Sequence, residues 1–414
     1  MPKYHIWTIG CQMNKAESER LGSHLEKLGY EATTSANDAE LVLLNSCVVR
    51  QSAEDRVLNK LANLKALKES RPKMILAVTG CLVNADTKSL EKRFPQVDYF
   101  FKPGDYPQWL KRPLETPLPE KPDVAAYVPI IQGCDNFCTY CIVPYRRGRE
   151  KSRTTPEIVS EVVELVGRGA KEVTLLGQNV DSYGHDLPDK PELADLLYEL
   201  NDIEGLLRIR FLTNHPKDMS PKLIEAVASL DKVCEQLTLP VQSGSDAILE
   251  AMKRGYSVEH YRRLVKQIRA KIAEIALSTD ILLGFPGETE KQFQETADLL
   301  SELNFDTVHI AAYSPRPGTF AASKLTDDAP PAEKKRRVEH IERLQEKIAT
   351  AINARLRGKT VEVLVEGEKG GKWWGRTRSD KLVFFSDIQD CREKLIKIKV
   401  EKTSPWSLQG RVEG

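Results

Sequence analysis

The sequence predicts an α/β protein in three parts: an amino-terminal open parallel α/β domain, a central incomplete (β/α)6 barrel, and a small antiparallel β-barrel at the carboxyl end. Three observations predict it. Short apolar runs alternate with segments of helical period over most of the chain, the signature of parallel strands buried on both faces. A Pro-rich stretch from Pro113 to Pro122 punctuates the first boundary. Beyond Arg357 the pattern changes to short strands with Gly-rich turns. At 414 residues the chain exceeds one ordinary core, and domains are expected at 1–122, 123–357 and 358–414.

In the first part, His5–Ile9, Leu41–Asn45 and Met74–Val78 read as strands. Asn14 is placed to cap the following helix, with Glu17 completing a capping box and Leu21, Leu25 and Leu28 forming the buried stripe. Cys11, Cys47 and Cys81 each follow one strand, so they share the carboxyl edge of one sheet. That edge is where open α/β folds bind ligands, and helix amino termini there favour thiolate and cluster charge. A scattered cysteine is ordinarily a buried structural one. Three strand-end placements favour instead a metal cluster with three protein ligands. Cys234 and Cys391 have no such companions and read as structural or incidental.

In the second part, candidate strands are Ala126–Ile131, Glu172–Leu176, Leu206–Leu212, Cys234–Val241, Ala276–Leu283 and Thr307–Tyr313. Helices separate them, one capped by Thr155 with Pro156 at its first position and another over Glu290–Leu303. Six units fall short of the eight in a full barrel and leave a side open to a large substrate. After the first strand stands Cys134-Asp-Asn-Phe-Cys138-Thr-Tyr-Cys141, spaced C-x3-C-x2-C. Three thiolates hold three irons of a four-iron cubane and leave the fourth iron open, whereas structural zinc closes its shell with a fourth ligand. Zinc or a free-thiol loop has the same spacing. The aromatic Phe137 and Tyr140, and the companion cysteine set, favour the open cluster.

Reacting groups in such barrels gather at the carboxyl ends of the strands. The turns there hold Gly177-Gln178-Asn179, Asn214-His215, Gln242-Ser243-Gly244, Gly284-Phe285-Pro286-Gly287 and Ser314-Pro315-Arg316. Any one of these is also ordinary loop chemistry, His215 above all. A helix from Pro331 to Arg357 closes the domain, and its run Lys334-Lys335-Arg336-Arg337 reads as a solvated face ahead of RNA contact.

The tail offers strands at Thr360–Val365, Lys381–Phe385, Leu395–Val400 and Leu408–Val412. From Gly358 onward it carries twelve Lys/Arg against nine Asp/Glu, more basic than the whole chain at +1. Trp373, Trp374, Arg376, Arg378, Phe384 and Phe385 suit base stacking and phosphate contact, or a barrel core, or both on opposite faces. Hydrophobic content of 41%, no apolar run near the ~20 residues that span a bilayer, and an amino terminus without a signal-peptide apolar region predict a cytoplasmic protein. Eight cysteines in that setting read as metal ligands or redox groups.

Cys134–Cys141 with Tyr140 at the aromatic position resembles the radical S-adenosylmethionine (SAM) enzymes. Gly10-Cys11-Gln-Met-Asn14, Asn45-Ser46-Cys47-Val-Val-Arg50 and Gly80-Cys81 are similar to the amino-terminal domain of the methylthiotransferases within that superfamily. So are Gly133 through Tyr145, Arg147-Gly-Arg-Glu150, Ser152-Arg153, Leu176-Gly-Gln-Asn-Val180, Leu239 through Asp246, Met252-Lys-Arg-Gly-Tyr256, Gly284 through Thr289 and Tyr313 through Thr319. The tail is similar to their RNA-associated TRAM barrel. Ser46 departs from the more usual Thr and keeps the hydroxyl.

The resemblance implies two 4Fe-4S clusters and SAM. Cys134, Cys138 and Cys141 would hold the cluster that binds SAM through its amino and carboxylate groups and generates a 5′-deoxyadenosyl radical. Cys11, Cys47 and Cys81 would hold an auxiliary cluster carrying the sulfur to be inserted, a second SAM giving the methyl group. Tyr140, Gly177, Gln178, Asn179, Gln242 and Ser243 are expected at the cofactor. The wording is closest to members acting on N6-dimethylallyladenosine at tRNA position 37, ahead of those acting on threonylcarbamoyladenosine in tRNA or a ribosomal-protein aspartate. A non-catalytic metal-cluster RNA-binding protein is the rival of another class. A monomer served by an electron donor such as flavodoxin or ferredoxin, with no membrane partner, is expected. The chemistry requires the two cluster-bearing sheet edges to face one another.

Overall fold

A computed structural model describes residues 1–49, 51–83, 87–110 and 117–413. Arg50 and the first part of the Pro-rich boundary, Pro113 to Thr116, lie outside the described residues. The amino-terminal sheet comprises β1 (Lys3–Ile9), β2 (Glu31–Ala32), β3 (Leu41–Ser46), β4 (Ile75–Gly80) and β5 (Tyr99–Phe100), all parallel in the order β2-β1-β3-β4-β5. The expected strands are β1, β3 and β4, and β3 is buried along its whole length. The edge strands β2 and β5, two residues each, are too short to make an apolar run.

The first helix, Gln12–Lys27, begins earlier than Asn14 and is capped by Cys11. Asn14 instead sits in its first turn, accepting from the Cys11 N–H at 3.3 Å and donating to Asn45 Oδ1 at 2.9 Å. That fully buried amide ties the end of β1 to the end of β3. Leu21 and Leu25 are buried, but Leu28 lies past the helix end and is exposed.

The central domain contains β6 (Ala125–Pro129), β7 (Ile131–Gln132), β8 (Lys151–Ser152), β9 (Glu172–Leu176), β10 (Arg208–Phe211), β11 (Gln236–Thr238), β12 (Ala276–Leu283) and β13 (Thr307–Ala312). Parallel pairing gives β6-β9-β10 and β11-β12-β13, and an Ile209–Val233 bridge joins them into a six-stranded arc. The antiparallel pair β7–β8 clips together the two ends of the loop carrying Cys134, Cys138 and Cys141. Thr154, one residue before the expected cap, starts the helix Thr155–Gly167, whereas Glu290–Leu303 is a helix as expected, capped by Thr289. Outward-facing Val128, Val173, Leu175, Ile209, Phe211, Leu237 and Leu277 form the core with the surrounding helices.

The other face of the arc is polar, because Arg208 and Arg210 alternate with Ile209 and Phe211. Against it docks the tail, a closed barrel of β14 (Thr360–Lys369), β15 (Lys372–Thr377), β16 (Leu382–Phe385), β17 (Leu395–Thr403) and β18 (Leu408–Val412). Strand β15 is unforeseen, and the β16–β18 pairing is parallel while the others are antiparallel. Arg208 donates to the Arg376 carbonyl at 2.7 Å, and Arg210 to those of Thr377 at 2.6 Å and Arg378 at 2.8 Å. Arg378 itself grips Glu235 across the interface at 2.7 and 2.8 Å, while the Arg376 side chain pairs with Asp380 inside the tail, so both side chains expected to reach phosphate are engaged within the protein. Trp373 and Phe385 fill the small barrel's core. Among the described residues, no helix is long and apolar enough to cross a membrane.

Candidate metal-cluster site

Both cysteine sets stand where strands end. Cys11, Cys47 and Cys81 follow β1, β3 and β4, three neighbours in one sheet. Their approach is close: a Cβ on Gly10 would lie 2.9 Å from that of Cys47 and 2.2 Å from Asn14 Oδ1. The Cys11 thiol donates to Asn14 Oδ1 at 3.4 Å. Cys47 and Cys81 are buried and share a hydrogen bond that pushes the Cys47 thiol up, burial adding to the effect. Cys81 is brought down to about 6 by that bond and, against the opposing effect of burial, by the Arg147 cation.

The second set lies on a loop whose backbone is stitched down on every side. Cys134 N–H donates to the Gly148 carbonyl at 3.2 Å, Thr139 N–H to that of Met252 at 3.1 Å, and Thr139 accepts from Ala321 at 2.8 Å. Gly133 has φ of +85°, and a Cβ there would lie 2.1 Å from the Arg149 carbonyl oxygen, so only glycine opens the loop this way. Burial pushes Cys134 up and Cys141 up to about 12. Arg254, buried, donates to Cys138 Sγ at 3.4 Å and to the Pro240 carbonyl at 3.0 Å.

The two sets meet through Arg147. Its Nε donates to Cys81 Sγ at 3.3 Å, and its Nη1 to Glu17 Oε1 at 2.5 Å. Arg147 ends the short helix Val143–Arg147 that directly follows Cys141. A residue of the central cluster loop therefore touches a sulfur of the amino-terminal triad. Among the described residues two more ion pairs cross the same interface, Arg20–Glu161 and Arg316–Glu54, both at 2.7 Å.

The other expected contacts divide. Tyr140 packs edge-on against Phe285 at 6.5 Å beside Met252 and Tyr313, its hydroxyl pushed up by burial. Gln178 accepts from the Gly133 N–H at 2.6 Å and so braces the cluster loop, while Gly177 packs against Ile131. Asn179 is buried, donating to Asp218 at 2.8 Å, and its own Oδ1 has no partner among the described residues. Gln242 holds a left-handed backbone at φ of +72°. Ser243 is fully buried, 3.5 Å from Thr296 Oγ1, and accepts from Ser245 N–H at 3.2 Å. His215 is buried with Nδ1 accepting from Lys217 N–H at 3.2 Å, which leaves the proton on Nε2, without a partner among the described residues. Cys234 and Cys391 are buried elsewhere, singly.

All eight cysteines are free, and among the described residues no three His, Cys, Asp or Glu are gathered as a single-ion site. The donor chemistry fits sulfur-ligated clusters: three thiols per set, with one guanidinium beside a sulfur of each to balance thiolate charge. Sequence reasoning assigned no role to Arg147 or Arg254, although both stand inside quoted motifs. The signal was an arginine a few residues from a cysteine loop or a strand-end turn.

Comparison with known proteins gives a consistent outline. Residues 3–102 match the uncharacterized protein family UPF0004, 128–300 the radical SAM superfamily and 354–412 the TRAM domain. A tRNA-2-methylthio-N6-dimethylallyladenosine synthase of Dehalococcoides mccartyi is 57% identical, covering 100% of this chain and 99% of its own. The like-named protein of Chloroflexus aurantiacus is 50% identical over 99% of this chain and 91% of its own. Among solved structures, the radical SAM methyltransferase TsrM of Kitasatospora setae aligns at a TM-score of 0.56 and 13% identity, covering 78% of this chain and 77% of that one. It shares the fold.

Proposed function

The chain belongs to the radical SAM methylthiotransferase family of its tRNA-2-methylthio-N6-dimethylallyladenosine synthase relatives, and from that premise we propose that it converts N6-dimethylallyladenosine beside the tRNA anticodon to the 2-methylthio derivative. The observation that carries the reading is the Arg147–Cys81 contact at 3.3 Å, which supports a single reaction space between the two cysteine sets. One set alone would make a radical with nothing to insert.

Cys134, Cys138 and Cys141 hold the SAM-binding cluster in this reading, and Cys11, Cys47 and Cys81 the auxiliary one. When bound, the clusters and SAM supply radical and sulfur chemistry that no side chain of the protein provides. The protein's own residues orient and exclude. Arg254 fixes Cys138 against Pro240, and Gln178 braces the loop through Gly133. Asn179 Oδ1, Asn214 Oδ1 and His215 Nε2, unpartnered among the described residues, supply polar groups at the strand ends. The protein works as a cytoplasmic monomer reduced by a flavodoxin- or ferredoxin-type donor.

Mass spectrometry of tRNA nucleosides tests the function. Cells lacking the activity regain the 2-methylthio nucleoside when supplied with this protein, and failure to regain it under anaerobic-competent expression overturns the proposal. With purified protein, Cys138→Ala abolishes SAM cleavage, whereas Cys47→Ala retains cleavage and loses methylthiolation. Intact methylthiolation by the Cys47 variant removes the auxiliary-cluster assignment.

A further inference from the structure

We propose that Arg147 is a positioning residue by which the SAM-cluster loop sets both the placement and the reduction potential of the auxiliary cluster; this rests on the assignment of that cluster to Cys11, Cys47 and Cys81. The guanidinium is held at both ends. Nε–H donates to Cys81 Sγ at 3.3 Å, while Nη1 and Nη2 donate to the two oxygens of Glu17 at 2.5 and 3.5 Å. Its side chain is 5% exposed and that of Glu17 14%, so little water screens either contact.

Its carrier is equally fixed. The helix Val143–Arg147 starts two residues after Cys141, has Pro144 in its first turn, and ends by donating the Gly148 N–H to the Pro144 carbonyl at 3.1 Å. A shift of the Cys134–Cys141 loop is thereby passed to Cys81 through one short rigid segment. Arg20 and Arg316 cross the same interface and pair with carboxylates, not with a cysteine. Arg147 differs in reaching sulfur.

Two consequences follow from elementary electrostatics. A buried cation and an N–H···S bond favour the more negative, reduced form of a cluster and so raise its potential. A guanidinium fixed at both ends would also hold the Cys81 strand end and the Cys134–Cys141 loop at one separation, and reaction rate is steeply sensitive to placement of this kind.

The test uses the full chain with Cys134, Cys138 and Cys141 all replaced by Ala, reconstituted with iron and sulfide, so that any cluster resides on the remaining triad. Redox titration followed by electron paramagnetic resonance is then run on Arg147→Gln, Arg147→Lys and Arg316→Gln. Arg147→Gln makes the cluster at least tenfold harder to reduce, a negative shift of about 59 mV for one electron. Arg147→Lys, which keeps the charge, falls between, and Arg316→Gln leaves the potential unmoved. In the chain with all six ligands, Arg147→Gln still cleaves SAM but yields at least tenfold less methylthiolated product per 5′-deoxyadenosine. An unchanged potential in both Arg147 variants, or an equal shift in Arg316→Gln, overturns the proposal. Failure of the triple-Ala background to retain any cluster speaks instead against the auxiliary-cluster assignment. If Arg147→Gln does not fold, Arg147→Lys still decides.

Discussion

The backbone N–H of His215 donates to Asp181 Oδ2 at 2.8 Å, so a buried imidazole and a buried carboxyl lie side by side with opposite responses to acid. Burial, then the Arg254 and Lys217 cations, lowers His215 from 6.5 to about 2. Burial raises Asp181 from 3.8 to about 7, assisted by Asp218 and opposed by hydrogen bonds from His215 and Asn214. Below pH 6.5 the unfolded chain takes up a proton at His215 that the fold refuses, so stability falls on acidification. Between pH 7 and 3.8 the fold holds a proton on Asp181 that the unfolded chain has lost, so stability rises on acidification. Each slope reaches about 1.4 kcal/mol per pH unit, and they offset one another. Asp181→Asn should therefore steepen acid destabilisation, and His215→Gln should make the protein gain stability from about pH 7 to 5 in urea unfolding. Equal slopes in both variants and the parent would refute the pairing. Gly133→Ala forces a left-handed alanine against the Arg149 carbonyl; the backbone alone costs about 1–2 kcal/mol, and iron content should fall by the SAM cluster's share. The cysteines were legible in sequence because iron-sulfur ligation admits few residue types. Arg147 and Arg254 were not, because their sulfur partners lie 66 and 116 positions away.

The helix Pro331–Ala354 departs from the usual amphipathic pattern at its start: Lys334 and Arg337 share its buried stripe with Ile341, Gln345 and Ile348. Lys334 donates to the Tyr313 carbonyl at 3.0 Å, and Arg337 to Glu288 at 2.7 Å, whose other bond at 2.6 Å fixes the Gly284 N–H. The basic run is thus half internal, correcting its expectation as a solvated face. Periodicity gave no warning, since only the acceptors across the fold make these cations internal. Strand β10 poses the same problem through Arg208 and Arg210. Arg210 and Glu172 are 4% and 5% exposed, so Arg210→Ala leaves a buried carboxylate unpaired and should cost about 3–5 kcal/mol. The more open Arg378, which also donates to the Asp231 and Val233 carbonyls, should cost about 1–2 kcal/mol when replaced by Ala. Urea unfolding separates the two, and a protease should cut Arg210→Ala between residues 355 and 359, where the barrels join.

At the scale of the molecule, the order of parts was readable: parallel strands announce themselves as apolar runs, and the tail by its turns. How the parts join was not, because each joint uses charged side chains that resemble surface in sequence. Arg20, Arg147 and Arg316 fasten the amino-terminal domain, and Arg208, Arg210 and Arg378 fasten the tail. The arc lacks the strands that would close a full barrel, and the turn from Arg376 to Lys381 supplies carbonyls to its inner face. In evolutionary terms the tail is therefore a poor cassette. A chain ended at Ala354 would strip Arg208 of its tail acceptors and leave Arg210 with Glu172 alone, and a grafted barrel from another protein would serve only if its hairpin presented carbonyls at the same three positions. Exchange of tails among relatives should succeed where that hairpin is preserved and yield unstable catalytic domains where it is not, whatever the RNA affinity of the donor.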